Sequence, residues 1–413
     1  MSADHAPSYY AATANARESI PAMAEPANVD IAVIGGGFTG LSAALACAEK
    51  GFKVALYEAQ RIGFGASGRN GGQLIPGLRW SMREIETEFG HDRAKAIFDL
   101  AYGAVGRVHD RIRKHRIACD LKSGHLEAAY KAAHFENMQR DAEFLARAYG
   151  WSADIVQPKD MRRHIVGGGY HGGIYDPKGG HFHPLNYALG LAQAAREAGV
   201  AILENSRVNL PDVKARTIIL ATDTWMGELA PELGRYTVPI MNYNIATAPL
   251  PHADALLPSD AAVADSRFVL NYFRLSADKR LLFGGGEKYV QRPPADIGAF
   301  VRKHIVKVFP SLADTAIDYA WGGAVGVTMN RLPHLGRRQA SSGQTIFFAH
   351  GFSGHGALVT TLAGELLAEA VAGTMERFDV FASLPQRPFP GGRLLARPLA
   401  TLGLLWYALR DRI

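Results

Sequence analysis

The arrangement of apolar and polar residues predicts a strand, a turn and a helix near the start of the chain. Residues 29–34 form a short apolar run, three glycines follow at 35–37, and residues 39–50 form a helix that ends before Gly51. Residues 53–58 then form a second strand. Two parallel strands joined by a helix form a βαβ unit, so the pattern indicates a doubly wound sheet.

The same succession of elements recurs near the end of the chain. Residues 345–349 are a strand, residues 351–356 a glycine-rich turn and residues 357–371 a helix. The two pieces can therefore lie side by side in one sheet, with a second sheet domain inserted between them. The other predicted elements are helices at 81–116, 133–149, 184–199 and 296–309, a hairpin at 118–130, and strands at 216–221, 238–248, 268–275 and 280–285.

Length and composition support a globular protein of two domains. The chain has 413 residues, which is long for a single core, and 48% of them are apolar against 20% charged. Part of the net charge of +6 lies in residues 107–116, whose basic positions recur at helical spacing and predict a solvated helix face. Because no aromatic residues interleave with this charge, we do not expect nucleic-acid binding.

Other features limit the setting of the protein. Cys47 and Cys119 give neither a disulfide framework nor a metal cluster and are compatible with a reducing cytoplasm. His181 and His183 lack a third ligand, so no metal site is predicted. The N-terminus lacks the pattern of a secretory signal, and no apolar run reaches 18 residues. We therefore expect a cytoplasmic protein.

A glycine fingerprint lies in the first strand–turn–helix. Gly35, Gly37 and Gly40 are spaced as Gly-x-Gly-x-x-Gly. In this motif the first glycine allows a tight turn, the second lets a pyrophosphate approach the backbone, and the third lets helix and strand pack closely. The helix start at Phe38 and Thr39 presents free N–H groups and the positive end of the helix dipole. We therefore predict a dinucleotide site.

The residues after the second strand indicate which dinucleotide binds. Glu58 ends that strand, where its carboxylate can accept hydrogen bonds from ribose hydroxyls, and Ala59 follows it. Residues 61–73 are rich in small residues and can wrap a large planar ligand. Because an extended FAD needs this second loop and a nicotinamide does not, we predict FAD. The predicted contacts in the loop are Gly65, Ala66, Ser67, Arg69, Asn70, Gly71, Gly72 and Gln73.

The stretch Gly65-Ala66-Ser67-Gly68-Arg69-Asn70-Gly71-Gly72-Gln73 resembles the flavin-wrapping loop of the D-amino-acid oxidase superfamily, in the variant of γ-glutamylputrescine oxidases. The resemblance implies an α/β fold with a Rossmann-type FAD-binding domain and a substrate domain built on a mixed or antiparallel sheet. Similar segments cover essentially the whole chain, namely residues 8–12, 179–186, 272–275, 280–286 and 388–393. We expect an FAD-binding domain of residues 28–85, 151–235 and 325–385, a substrate domain of 86–150 and 236–324, an N-terminal arm of 1–27 and a C-terminal extension of 386–413.

The resemblance also implies cofactor contacts farther along the chain. Val208 lies at the adenine-side contact position of the family. The turn at 351–356 opens a helix whose dipole stabilises negative charge on the pyrimidine ring of the reduced flavin. The predicted contacts in this turn are Gly351, Ser353, Gly354, His355 and Gly356.

Three positions depart from the family pattern. Gly323 stands where some relatives attach flavin through a cysteine, so we expect non-covalent FAD. Leu282 stands where sarcosine oxidases carry an oxygen-activating lysine, which leaves oxidase and dehydrogenase open; Lys288 is a substitute candidate or else a surface lysine. Asp223 replaces the glycine of an Ala-Thr-Gly turn, after a shortened segment at 205–215.

The candidate catalytic residues are Arg274, Arg331 and Glu287. An arginine can bind a substrate carboxylate bidentately and an acid can hold an ammonium, while pairing with each other is the structural alternative.

The expected reaction is FAD-dependent oxidation of an amine to an imine and then an aldehyde, with molecular oxygen as acceptor. The resemblance favours γ-glutamylputrescine or a similar carboxylate-bearing amine. Three alternatives stay open: an oxidase of a cyclic or secondary amino acid such as L-pipecolate, a dehydrogenase that reduces a quinone or carrier protein, and a flavin-binding subunit without turnover.

The two ends of the chain are predicted to lie on the protein body. Residues 1–27 contain the pair Tyr9 and Tyr10 and form the arm. Residues 394–413 have an amphipathic pattern that we expect to dock on the body, with contact to a membrane or a partner as the alternative.

Overall fold

The computed structural model describes residues 4–16, 28–288 and 293–391, without the side chains of Glu287 and Lys288. Its helices are α1 (Tyr9–Ala12), α2 (Phe38–Glu49), α3 (Met82–Phe89), α4 (His91–Lys114), α5 (Ala132–Tyr149), α6 (Pro184–Glu197), α7 (Met226–Leu229), α8 (Pro231–Gly234), α9 (Ala253–Leu256), α10 (Ile297–Val308), α11 (Gly356–Val371) and α12 (Glu376–Ala382). Its strands are β1 (Ile31–Ile34), β2 (Val54–Tyr57), β3 (Gln73–Leu74), β4 (Lys122–Ala128), β5 (Asp154–Val156), β6 (Gly173–His181), β7 (Ala201–Leu203), β8 (Thr217–Leu220), β9 (Val238–Thr247), β10 (Ala262–Asp265), β11 (Tyr272–Leu275), β12 (Leu281–Lys288), β13 (Ile317–Val327), β14 (His334–Gln339) and β15 (Thr345–His350).

The predicted βαβ unit lies at the centre of the first sheet. Within the described residues this sheet has the order β14-β15-β8-β1-β2-β7. β7, β2, β1, β8 and β15 are parallel, and β14 is an antiparallel edge strand. β1 and β2 are buried along their whole length, as expected for strands covered on both faces. The Rossmann-type half of the predicted fold is confirmed.

Helices cover the first sheet because alternate residues of each strand point to opposite faces. Ile31 and Val33 pack with α2, α4, α6 and α11, whereas Ala32 and Ile34 pack with α7 and α8 on the other face. Helices α2 and α11 approach closely at Gly364, where a Cβ would lie 2.6 Å from the Cβ of Ser42.

The basic stretch of α4 is not simply a solvated helix face. Arg111 is buried and its guanidinium pairs with Glu49 of α2 and with Glu365 of α11. Arg107 also pairs with Glu365, at 2.6 Å. These charges therefore join α4 to the two helices that cover the sheet, which corrects the expectation for residues 107–116.

The second sheet is mixed, as predicted. Its order in the described chain is β13-β9-β12-β11-β10-β4-β6-β3, and β5 also pairs with β6. β4 and β10 are parallel, and the other pairs are antiparallel. One face packs against α10 in a separate apolar cluster that includes Phe273, Phe283 and Val301. The opposite face borders the cavity described below.

Several predicted elements differ from the structure. Residues 118–130 are not a hairpin, because β4 runs straight through them and pairs with β6 on one side and β10 on the other. Gly124, with φ +100°, occupies an irregularity in the β4–β6 pairing instead of a turn. The helix at 81–116 is broken at Gly90, which has φ +79°. β10, β13 and β14 were not predicted as strands.

The predicted domain boundaries remain a prediction, and the packing bears on them at two places. β6 comes from the range assigned to the FAD-binding domain but pairs within the second sheet. α4 comes from the range assigned to the substrate domain but packs against α2 and α11. In the N-terminal arm, Tyr9 and Tyr10 are buried, while residues 17–27 and the C-terminal segment 392–413 lie outside the described residues. None of the described helices is long and apolar enough to cross a membrane.

Candidate FAD and substrate site

The turn after β1 has the backbone geometry that the glycine fingerprint predicts. Gly35 has φ +113°, and a Cβ there would lie 2.5 Å from the carbonyl oxygen of Ala221. A Cβ on Gly40 would lie 1.9 Å from the carbonyl oxygen of Gly35, so only glycine lets α2 pack this closely on the turn. Gly37 is the N-cap of α2 and has no side-chain cap, which leaves the helix start open to a ligand.

Glu58 lies directly beside this turn. Its carboxylate accepts hydrogen bonds from the Gly36 N–H at 2.7 Å and the Gln60 N–H at 2.8 Å. Burial raises the pKa of Glu58, and these two hydrogen bonds oppose the shift. Each oxygen keeps lone-pair capacity for a hydroxyl donor, as a ribose contact requires.

The second glycine-rich loop folds against the first. A single turn at Ala66–Gly68 places Ser67 so that its Oγ accepts from the Phe38 N–H at 2.9 Å. The Asn70 side chain closes the loop, because its amide donates to Ala66 and Ser67 and its Oδ1 accepts from Gly72 N. The loop is therefore preorganised by its own side chains.

The third part of the site is the start of α11. Gly351 has φ +73°, and its N–H donates to Asp223 Oδ1 at 2.8 Å. The other carboxylate oxygen of Asp223 accepts from Gly326 N at 3.2 Å, and burial raises the pKa of Asp223. Asp223 itself has φ +42°, in the left-handed region that its glycine counterpart would favour. The Asp223 carboxylate, at the position where the family has glycine, thus joins the end of β13 to the turn before α11.

These three segments line one cavity of about 790 Å³. Of the predicted cofactor residues, Gly40, Gly72 and Gly351 do not line it but shape the backbone around it. The predicted residues that line the cavity are Gly35, Gly37, Phe38, Thr39, Glu58, Ala59, Gly65, Ala66, Ser67, Arg69, Asn70, Gly71, Gln73, Val208, Ser353, Gly354, His355 and Gly356. The structure therefore brings the fingerprint, the loop and the α11 turn together, and their roles as contacts remain predictions.

The residues at this end of the cavity fit FAD. A Cβ on Gly37 would lie 2.8 Å from Ser67 Oγ, so glycine at this position lets the two glycine-rich segments meet closely at the cavity. The helices α2 and α11 both start at the cavity with N-cap residues that make no side-chain cap, and in α2 Ser67 Oγ accepts from the Phe38 N–H. Phosphates bind well at such helix starts, and the α11 start can stabilise negative charge on the flavin.

The second sheet forms the wall of the cavity beside the flavin loop. Tyr272 of β11 lies between Gly284 and Gly71, where a Cβ would be 2.0 Å and 2.6 Å from its ring, and its hydroxyl donates to Asn242 of β9. Asn244 donates to the carbonyl of Arg69 at 3.4 Å. The wall beside the flavin loop is therefore polar and built from β9 and β11.

Arg274 does not lie where a substrate-binding arginine was predicted. It is 4% exposed and does not line the cavity. Its Nε donates to Gly71 O at 2.8 Å, and one terminal nitrogen donates to Phe182 O at 2.8 Å and Tyr10 Oη at 3.3 Å. The guanidinium thus holds the flavin loop to the arm and to the end of β6, on the same face of β11 that carries Tyr272.

The other two candidates have different outcomes. Arg331 lines the cavity, is exposed, and has φ +62° just after β13. The side chains of Glu287 and Lys288 lie outside the described residues.

Two positions that depart from the family pattern lie differently. Leu282 is buried against Tyr10 and Trp321 and does not line the cavity. Gly323 lines the cavity, and a Cβ there would lie 3.3 Å from the Cβ of Arg69.

Sequence reasoning missed the charged residues at the far end of the cavity. Glu127 of β4, Asp141 of α5 and Arg79 all line it. The signal was present in the alternation of His125 and Glu127 with Leu126 and Ala128, but residues 118–130 were interpreted as a hairpin.

Two histidines of the cavity are uncharged near neutral pH. Burial lowers the pKa of His125 to about 3 and the pKa of His355 to about 4. His181 and His183 bond within the protein, to Arg274 and the Asn186 N–H respectively. In the described part of the chain no group of three metal-ligating side chains occurs.

Comparison with known proteins agrees with this geometry. Residues 30–370 match the family model described as FAD dependent oxidoreductase (DAO). The chain is 38% identical to a gamma-glutamylputrescine oxidoreductase of Escherichia coli, over 99% of both chains. It is 35% identical to a probable oxidoreductase OrdL of Haemophilus influenzae, over 99% of this chain and 98% of that protein.

Solved structures show the same fold. An L-proline dehydrogenase from P. horikoshii has a TM-score of 0.71 at 19% identity, covering 84% of this chain and 94% of that chain. A glycine oxidase from Geobacillus kaustophilus has a TM-score of 0.68 at 21% identity, covering 84% and 95%. The chain therefore belongs to the DAO family of FAD-dependent oxidoreductases.

Proposed function

We propose that this protein oxidises a primary amine that carries a carboxylate at its far end, with γ-glutamylputrescine as the best candidate. When bound, FAD supplies the hydride acceptor. The amine loses a hydride from the carbon next to nitrogen, and water converts the resulting imine to an aldehyde and ammonia. With oxygen as acceptor, amine, oxygen and water give aldehyde, ammonia and hydrogen peroxide.

One observation carries the proposal. The identity of 38% with the E. coli gamma-glutamylputrescine oxidoreductase extends over 99% of both chains, so it includes the substrate-facing sheet as well as the cofactor segments.

The cavity wall beside the flavin loop supports oxidation of a neutral amine. Asn242, Asn244 and Tyr272 are uncharged, and the guanidinium of Arg69 lies near them, since it donates to the carbonyl of Gly322 at 3.3 Å. A neutral amine can lose a hydride, whereas an ammonium has no free lone pair to stabilise the product. An uncharged wall beside a positive charge disfavours the ammonium, so these residues orient the amine in its reactive form.

The far end of the substrate needs a cation. Arg331 and Arg79 line the cavity, and a guanidinium can bind a carboxylate through two parallel hydrogen bonds. Free putrescine has a second ammonium instead of that carboxylate. Its lower reactivity is therefore expected from like-charge repulsion at the arginines.

The electron acceptor is proposed to be oxygen. The lysine position of sarcosine oxidases is Leu282, which is buried against Tyr10 and Trp321, and no lysine lines the cavity among the described residues. The acceptor must therefore be measured separately from the substrate.

The test uses purified holoenzyme under anaerobic conditions. We expect γ-glutamylputrescine to bleach the flavin, and air to restore its colour with formation of peroxide and one equivalent of aldehyde. A larger kcat/KM for free putrescine or L-pipecolate would refute the substrate. If a quinone restores the flavin colour and air does not, the acceptor is a quinone and not oxygen. If no amine bleaches the flavin, the proposed activity is refuted.

A variant pair tests the carboxylate contact. Arg331→Met should raise KM for γ-glutamylputrescine and lower KM for free putrescine, because the repelling like charge is removed. Arg337→Met is the control, because Arg337 is exposed on β14 and does not line the cavity. Equal KM changes for both amines in Arg331→Met would contradict a carboxylate contact.

A further inference from the structure

The carboxylate of Glu127 faces the cavity without a partner of its own. Glu127 and His125 point from β4 into the cavity, while Leu126 and Ala128 point into the apolar cluster under the sheet. The side chain of Glu127 is exposed and lines the cavity. Among the described residues it makes no hydrogen bond or ion pair, whereas neighbouring Asp141 pairs with Arg83 at 2.8 Å.

The charges around Glu127 allow its carboxylate to bind a cation. Burial raises the pKa of Glu127, the charge of Arg79 opposes that shift, and the charge of Asp141 adds to it. A carboxylate that lines the cavity without a hydrogen-bond partner can pair with an ammonium that a ligand brings into it. Arg79 adds positive charge to the same end of the cavity.

The sheet register places Glu127 at a defined distance from the flavin-side wall. Glu127 is opposite Ala264 of β10, and Ala264 is opposite Tyr272 of β11. Since adjacent strands are about 4.8 Å apart, Glu127 lies about 10 Å along one row from Tyr272.

That distance selects for substrate length. An extended chain gains roughly 1.2 Å per bond, so the two nitrogens of putrescine are about 6 Å apart. In γ-glutamylputrescine the α-ammonium and the terminal amine are separated by ten bonds, about 12 Å. The longer molecule spans the row from Tyr272 to Glu127, whereas putrescine is about 4 Å shorter than that row.

We propose that Glu127 binds the α-ammonium of the substrate, so that the preferred substrates are amines whose far end is a γ-linked α-amino acid with both charges. This rests on the proposed function and deepens it. The guanidiniums of Arg79 and Arg331 both line the cavity and provide positive charge for the α-carboxylate. Glu127 thus determines specificity without touching the carbon that is oxidised.

The test compares two amines that differ only at the α-position, γ-glutamylputrescine and N-glutarylputrescine, which lacks the α-amino group. In the wild-type holoenzyme we expect kcat/KM to be about 10- to 100-fold higher for the glutamyl compound, the range for one hydrogen bond to a charged group. Glu127→Gln should remove this preference by raising KM for the glutamyl compound, with the glutaryl compound unchanged. Glu143→Gln is the control, because Glu143 is exposed on α5 outside the cavity.

The outcomes separate this inference from the proposed function. Oxidation of both amines with equal kcat/KM by the wild type would overturn the role of Glu127 and leave the proposed function standing; that comparison needs no variant. An equal loss for both amines in Glu127→Gln would also overturn it. If neither amine is oxidised, the proposed function fails, and the role of Glu127 fails with it.

Discussion

Replacing Arg274 with methionine should destabilise the protein instead of altering its substrate preference. Arg274 is 4% exposed and bonds the carbonyls of Gly71 and Phe182, both at 2.8 Å. Its weaker contacts reach Tyr10 Oη at 3.3 Å and Leu275 O at 3.2 Å. Methionine fills much of the same space but donates no hydrogen bond, so two carbonyls lose their charged partner.

The expected magnitude follows from these contacts. A hydrogen bond to a charged group contributes about 1.5–3 kcal/mol, so the two short bonds together represent about 3–6 kcal/mol. Removing the buried charge also removes its desolvation penalty, which offsets part of the loss. We therefore expect the free energy of unfolding to fall by roughly 2–4 kcal/mol, with weaker FAD retention because Gly71 belongs to the flavin loop.

Denaturant unfolding monitored by far-UV circular dichroism measures the loss, and flavin absorbance after gel filtration measures FAD content. Arg331→Met is the comparison, because it removes an exposed guanidinium and should leave the unfolding midpoint unchanged. With FAD added in excess, Arg274→Met should keep the wild-type ratio of KM values for γ-glutamylputrescine and free putrescine. A wild-type midpoint together with a raised KM for γ-glutamylputrescine alone would refute the structural role.

Three further predictions concern the cofactor. Gly40→Ala places a methyl group 1.9 Å from the Gly35 carbonyl oxygen, so it should release FAD and lower the free energy of unfolding by about 1–3 kcal/mol. Its control is Gly103→Ala, whose methyl group meets nothing within 4 Å and should stabilise α4 by about 0.5–1 kcal/mol. Equal unfolding midpoints for the two variants would contradict both expectations. Glu58→Ala should weaken FAD binding by about 1.5–3 kcal/mol, as measured by flavin titration of the apoprotein, and wild-type affinity would exclude a ribose contact. Acid or heat should release intact FAD, since Gly323 offers no thiol for attachment, and flavin that stays with the denatured chain would disprove non-covalent binding.

The cofactor half of the site could be predicted because its requirements are local. Gly35 and Gly40 face backbone atoms within a few residues or one strand away, and the spacing of the motif reports that contact directly. The loop from Gly65 to Gln73 likewise closes on itself through Asn70. Such short-range constraints are visible in the sequence without knowledge of the sheet.

The substrate half could not be predicted in the same way. Tyr272 and Arg274 lie on the same face of β11, yet Tyr272 faces the cavity and Arg274 bonds buried carbonyls. The difference depends on which segments pack above each residue, and the sequence of β11 does not show this. The turn signal at Gly124 belongs to a β-bulge, and the hairpin interpretation moved Glu127 away from the cavity. Charge alone could not distinguish an arginine that holds the fold together from one that meets a ligand.

The cofactor segments and the substrate-facing strands differ in which residues they tolerate. Glycines of the cofactor segments have no freedom to change, because a Cβ at Gly35 or Gly40 would overlap a backbone oxygen. Glu127 and Asn244 instead sit on the strands β4 and β9, where the extended backbone accepts any side chain. A new substrate length or end group therefore requires changes on the cavity face of the sheet and none in the cofactor turns, so identity of the fold does not determine the amine.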